Sequence, residues 1–386
     1  MPIPLEAQTY TDSRKRIDGP TKWAHNDVAT HNRLKTPLRL TGALKARFTD
    51  LTPAIGREFH ELSLLDVLNA SNRDEIIQDI AVTVSERGVV FFRNQYITPT
   101  QMKAFVTHLS ILAGCPESSS LHTHPLTEPP APNSTSHDIG TISSEKQKRG
   151  GGLTHQLSDT TRLASAGWHS DISFEPVPSD YAMLRMHTLP PTGGDTLWAS
   201  GYDVYDRLSA PMRLMFEQGG ADGGPLRARH DGGWLRDEAR RLGIAVWDSE
   251  RGSPANRGGA LSAVHPVVRT NPVTGWRSVY VNRGFTTRVE GVTRDESDLL
   301  LKYLFELVTQ NHDLQVRYTW GVNDVALWDN RSTFHCATYD YDEVRTGDRV
   351  CSLGEMPYFC AESKSRRAAL ADTSDLFGYE VGKRHR

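Results

Sequence analysis

His169 and Asp171 stand two residues apart in Trp168-His169-Ser170-Asp171, and an extended chain turns side chains i and i+2 to one face. An imidazole and a carboxylate presented together are two of the three donors that can grip a transition metal. A second histidine from a remote segment would complete two imidazoles and one carboxylate. That set suits a non-haem Fe(II) held on one face, with the other positions open. His335, behind Trp328-Asp329-Asn330-Arg331, is the residue in question. Alone the triplet carries little weight: the chain has fifteen histidines, and a strand histidine is more often hydrogen-bonded scaffolding than ligand.

What surrounds the triplet changes its weight. Gly193-Gly194-Asp195-Thr196-Leu197-Trp198, then His265 to Thr270, then Asn323 to Arg331, His335, and Arg345 with Arg349 follow in one order. This order resembles the taurine/2,4-D dioxygenase (TauD/TfdA) family of Fe(II)- and 2-oxoglutarate-dependent oxygenases, and most of all its fungal taurine/sulfonate dioxygenase-like branch. The match runs from about Arg87 to about Glu355. Six motifs in sequence are far more specific than any one of them.

The resemblance implies His169, Asp171 and His335 as the metal ligands, with 2-oxoglutarate as cosubstrate and O2 as oxidant. Asp171 must then be ionised and both imidazoles neutral, so metal affinity should fall in mild acid. The far carboxylate of 2-oxoglutarate needs a buried cation and a hydroxyl, and the planar fork of arginine bonds a carboxylate at two points. Arg345 matches the family's cosubstrate arginine, and Thr196 the hydroxyl beside it. Arg349, four residues on, matches the arginine that holds the substrate's anionic group. His124, in Leu121-His122-Thr123-His124-Pro125, matches the substrate-side histidine. Two positions depart from the bacterial taurine enzymes: Ser165, expected on the substrate side, stands where they carry an amide, and Thr127 replaces a tyrosine. Both put taurine itself in doubt. Trp168 and Trp328 are expected to wall the site, and Asn330 and Arg331 to shape the backbone before His335.

The elements that must position these residues are short. Apolar spacing predicts a helix over Asn72–Glu86, stopped by Gly88, then a buried strand at Val89–Phe92. Thr98-Pro99 opens a second helix, and the capping box Thr293-x-x-Glu296 a third. Strands are expected at Tyr181–Leu189, Thr196–Ala199, Ala263–Arg269, Ser278–Asn282, Leu314–Tyr318 and Val325–Trp328. Many short strands with a few helices predict a mainly β fold with flanking helices, which the resemblance sharpens to a double-stranded β-helix (jelly roll, cupin-like). Residues 1–45 read as an extended N-terminal arm and 46–386 as one dioxygenase domain. Loops near 125–165, a candidate lid, and 219–259, an insertion with few periodic segments, interrupt it.

Composition narrows the partners. A net charge of −3 and a pI near 6.6 give no global field for nucleic acid or membrane. No apolar run approaches the ~18 residues that span a bilayer. Four cysteines without Cys-x-x-Cys spacing read as reduced thiols in a cytoplasmic protein. The expected partner is a small anionic organic substrate, with homo-oligomer formation left open. The function expected is oxidation of a substrate C–H bond, with release of succinate and carbon dioxide. A biosynthetic oxygenase acting on an amino acid or related carboxylate is the alternative within this chemistry. A binding protein that has only kept the fold, or a zinc hydrolase, fits the ligand set less well.

Overall fold

In Val89-Val90-Phe91-Phe92 all four side chains are buried, and alternation divides them between two layers. Val90 and Phe92 join one apolar cluster with the helices Arg73–Arg87 and Pro99–Leu112; Val89 and Phe91 join another on the opposite face. Val325–Asp329 repeats the division, with Val325 and Leu327 toward the helices and Ala326 and Trp328 away from them. The computed structural model describes residues 34, 36–126, 139–144 and 164–377. Most of the expected arm, most of the candidate lid, and Thr127 lie outside the described residues.

These strands sit mid-sheet. The order is Arg47–Asp50, Arg57–His60, Val89–Phe92, Val325–Asp329, Ser179–Thr188, Thr346–Leu353, Gly140–Ser143. Pairing is antiparallel except between Arg57–His60 and Val89–Phe92. A second sheet, Gln315–Tyr318, Thr196–Ser200 and Thr333–Ala337, packs its inner face on the first. Phe91 stacks on Tyr318 with ring centroids 3.9 Å apart, and Trp198 meets Phe91 at 5.3 Å and Trp328 at 5.8 Å, both edge-on. Trp198 is fully buried there, and truncating so large a side chain costs about 3–5 kcal/mol. The helix Arg294–Gln310 covers the outer face of the second sheet with Leu301, Leu304 and Val308.

The expected helix starts hold. Thr98 and Gln101 form a reciprocal cap, as do Thr293 and Glu296, and Gly88 at φ 73° ends the first helix. Two expectations need correction. The run Ala263–Arg269 is two strands, Ser262–Pro266 and Val268–Thr270, because the chain changes partner there: the first pairs with Arg227–Asp231 and the second with Arg277–Val279. The insertion 219–259 contains a strand, Arg227–Asp231, paired with Ser262–Pro266, and a helix, Trp234–Leu242. Of the N-terminal arm, the described end packs on the body: the Thr41 and Leu44 amides donate to the Asp79 carboxylate. No helix among the described residues is long and apolar enough to cross a membrane.

Candidate metal centre

Two reciprocal backbone hydrogen bonds bring the remote histidines together: the His169 amide donates to the His335 carbonyl at 3.0 Å and the His335 amide returns one at 2.8 Å. His335 lies on Thr333–Ala337, opposite Trp198, so the second sheet fixes its face. His169 makes only this isolated bridge, and the chain then turns. The sequence expectation of a regular strand through Asp171 is therefore corrected. Asp171 opens a turn in which Ile172 adopts φ 46° and the Glu175 amide reaches the Ile172 carbonyl at 3.0 Å. A left-handed β-branched residue is a strained arrangement, of a kind that clusters at functional sites. The Asp171 amide is braced by Asn330 Oδ1 at 3.1 Å, which also accepts from Trp328 Nε1 at 3.0 Å.

The donors converge. His169 Nε2 lies 3.7 Å from Asp171 Oδ1, His335 Nε2 lies 3.8 Å from Oδ2, and one atom from each residue falls within 4.8 Å of the others. His169 Nδ1 donates to the Gly167 carbonyl at 2.8 Å, which leaves its Nε2 lone pair facing the site. Burial, reinforced by His169 and Arg349, pushes His335 down to about 3, so that ring is neutral. Burial would raise Asp171, but Arg349 and the two histidines outweigh it and hold the carboxyl well below its usual range. One carboxylate and two imidazoles within this reach of one another fit a divalent transition metal.

Two arginines four residues apart take different partners. Arg345 is buried just before the strand Thr346–Leu353; its Nε donates to the Gly194 carbonyl at 2.9 Å and Nη2 approaches Thr196 Oγ1 at 3.4 Å. A Cβ on Gly194, itself at φ 71°, would lie 2.9 Å from Arg345 Cδ, so glycine is needed for this close approach. Trp320 Nε1 donates to Thr196 Oγ1 at 3.0 Å, which leaves the Thr196 hydroxyl hydrogen free to donate. Arg349 lies on the same strand, and its Nη1 donates to Asp171 Oδ1 at 2.8 Å. His124 is close enough to feel Arg349 and Asp171, and burial, with His122 and Arg349, lowers it to about 3. Its Nδ1 accepts from the Leu126 amide at 3.1 Å, so the neutral ring carries its proton on Nε2 and can donate to an anion.

Not every expected residue joins this group. Ser165 Oγ accepts from Arg283 at 3.2 Å, and among the described residues no hydrogen bond links it to the triad, His124 or Arg349. Trp168 does not wall the site. It packs with Val204, Phe334 and Cys336 in the cluster under the Arg294–Gln310 helix, because consecutive residues of an extended segment point to opposite sides. Trp328 does reach it, with its ring 5.0 Å from that of His335. Asn330, in the turn between Val325–Asp329 and Thr333–Ala337, also braces the Asp171 backbone rather than only shaping the approach to His335, and Trp320 was not anticipated.

Comparison with known proteins agrees with this geometry. Residues 47–351 match the family described as taurine catabolism dioxygenase TauD, TfdA family. The alpha-ketoglutarate-dependent dioxygenase btcD of Neocamarosporium betae is 44% identical over 349 residues, covering 87% of this chain and 99% of that one. The alpha-ketoglutarate-dependent sulfonate dioxygenase of Saccharomyces cerevisiae is 30% identical, covering 92% and 75%. A crystal structure described as a putative alpha-ketoglutarate-dependent taurine dioxygenase from Burkholderia xenovorans superposes with a TM-score of 0.59 at 30% identity, covering 81% of this chain and 91% of that one.

Proposed function

The chain belongs to the TauD/TfdA family of dioxygenases, and from that premise we infer how its residues divide the work of an Fe(II)- and 2-oxoglutarate-dependent oxygenase. His169, Asp171 and His335 hold the iron, and the two facing sheets form a double-stranded β-helix around it. Thr196 and Arg345 hold the far carboxylate of 2-oxoglutarate, and Arg349 with His124 holds an anionic substrate. The observation that carries this reading is the backbone bridge between His169 and His335, which turns both imidazoles onto Asp171.

When bound, the iron with 2-oxoglutarate and O2 supplies the oxidising power, yielding succinate, carbon dioxide and an oxidised substrate C–H bond. The protein supplies placement. The Gly167 carbonyl fixes the tautomer of His169, and Asn330 fixes the backbone of Asp171. Arg345 and the free hydroxyl hydrogen of Thr196 together match both oxygens of a carboxylate. Trp328 and the apolar layer beneath it keep bulk water from one side. On the other side, Arg349 already gives one of its five N–H donors to Asp171, and the rest of its fork with His124 Nε2–H suits a sulfonate or carboxylate.

A sulfonate is the substrate class proposed first, in keeping with the name of the yeast relative. A free amino acid or related carboxylate is the second reading, favoured by Ser165, whose hydroxyl is engaged by Arg283 where the bacterial taurine enzymes carry an amide. Succinate release measured with taurine, alkyl sulfonates and free amino acids separates them. Stimulation by a sulfonate supports the first; stimulation by amino acids alone removes it.

A further inference from the structure

Glu175, four residues beyond Asp171, is fully buried and takes the fork of Arg251, which is 1% exposed. Arg251 Nε donates to Oε1 and Nη2 to Oε2, the latter at 2.9 Å. The third guanidinium nitrogen donates to the carbonyls of Trp247 at 2.8 Å and Gly258 at 3.0 Å, so all three nitrogens are used. Glu175 Oε1 also lies 3.4 Å from His122 Nε2. One buried ion pair therefore joins the metal-side turn, the loop of His122 and His124, and a segment that no motif includes.

That segment, residues 247–258, holds the histidine loop at both ends. The Gly252 carbonyl accepts from the Ser120 amide at 2.8 Å, and the Trp247 amide donates to the Pro125 carbonyl at 2.8 Å. Gly252 sits at φ 87°, and a Cβ there would lie 2.3 Å from the Leu121 carbonyl oxygen, so the close approach requires glycine. Asn256 clasps Val177 with its side-chain amide, Oδ1 accepting from the Val177 amide at 2.9 Å and Nδ2 donating to the Val177 carbonyl at 2.7 Å. From the other side the His122 amide rests on the Cys351 carbonyl at 2.9 Å, two residues from Arg349. The rings of His122 and His124 stand perpendicular, 6.4 Å apart.

We propose that Arg251 is a positioning residue for the substrate side of the centre: through Glu175 and His122 it fixes the loop that sets His124 beside Arg349, and so sets affinity for the anionic substrate. This rests on the reading of His124 and Arg349 as the anion holders. Among the described residues, no hydrogen bond links the network to Arg345, Gly194, Thr196 or Trp320, so the cosubstrate side is independent of it. A lysine cannot replace Arg251, because a point charge cannot serve both carboxylate oxygens and two carbonyls in one plane.

The test uses full-length protein loaded with Fe(II) and 2-oxoglutarate, and the probes are butanesulfonate and butanoate. Their binding is measured by calorimetry without oxygen, and their KM by succinate release in air. Arg251→Lys keeps the charge and loses the fork; Arg251→Met combined with Glu175→Gln removes both charges and leaves His122 an acceptor, so at least one variant should fold. Both should bind the better probe at least about tenfold more weakly, with the 2-oxoglutarate KM and substrate-free succinate release within about twofold of wild type. Unchanged probe binding in the folded variants, or probe and 2-oxoglutarate constants moving together, overturns the proposal. His124→Ala is the control. If it weakens the probe while the Arg251 variants do not, only the positioning role is lost. If it changes nothing, or if wild type binds neither anion, the anion-pocket reading falls and the positioning role with it.

Discussion

Arg345→Ala is the substitution that most sharply separates the two neighbouring arginines. The Arg345 side chain is 2% exposed, spanned between the Gly194 carbonyl and Thr196, and its backbone is held by Ser144 on both sides, at 2.9 and 3.0 Å. A carboxylate brought there is almost wholly desolvated, and truncating its cation leaves it unpaired. Losses of that kind run to about 2–5 kcal/mol, and at 1.4 kcal/mol per decade this is roughly a 30-fold to several-thousand-fold weaker hold on 2-oxoglutarate. Arg345→Lys should fall between, losing about tenfold, since lysine keeps the charge but cannot bond Gly194 and two carboxylate oxygens at once. Calorimetric titration of 2-oxoglutarate into metal-loaded protein without oxygen reads this directly, with the thermal midpoint as the check on folding. Arg349→Ala should leave that affinity within a few-fold and raise the substrate KM instead. If Arg345→Ala leaves 2-oxoglutarate binding intact while Arg349→Ala abolishes it, the assignment of the two is reversed.

Other perturbations report on the surroundings. Asn330→Ala removes the acceptor of the Asp171 amide and should lower iron affinity by about 10–100-fold, read by competition with a chelator, with the fold retained. Thr196→Val leaves Trp320 Nε1 without its acceptor and removes one donor to the cosubstrate, so the 2-oxoglutarate KM should rise by about tenfold. Asp329 is fully buried: burial pushes its carboxyl up, but Arg331 and hydrogen bonds from Asn271 and Ser85 outweigh that and leave it lowered. Its stabilising contribution is thus complete above the unfolded carboxylate pKa of about 3.9 and is lost as pH falls through the lower folded value. Asp329→Asn should cost about 3–5 kcal/mol at neutral pH in urea unfolding and flatten the acid limb of stability; a limb as steep as wild type would contradict this.

Much of the site was legible because its chemistry is carried by short motifs. Spacing marked His169 and Asp171, and the family resemblance of the surrounding motifs marked His335, Thr196, Arg345 and Arg349; the structure brings the triad together with Arg349, and Arg345 together with Thr196. Periodicity located Val89–Phe92 and the capped helices for the same local reason. What stayed hidden depends on contacts that sequence distance conceals. Ile172 at positive φ has no residue signal, since a β-branched side chain argues against that conformation, and so the strand reading ran one residue too far. Trp168 was misplaced because motif membership says nothing about facing; alternation beside His169 would have sent it the other way. The helix Trp234–Leu242 is short, rich in charge and flanked by glycine, which reads as loop. Arg251 and Glu175 stand 76 residues apart with no shared pattern.

Everything in the assignment depends on three side chains binding one metal ion. Anaerobic titration of the purified chain with Fe(II) measures this most directly. The account predicts one tightly bound ion per chain, lost separately in His169→Ala, Asp171→Ala and His335→Ala while each variant keeps its fold. Iron bound as tightly by the His335→Ala protein as by wild type, or no iron bound by wild type at all, would contradict it.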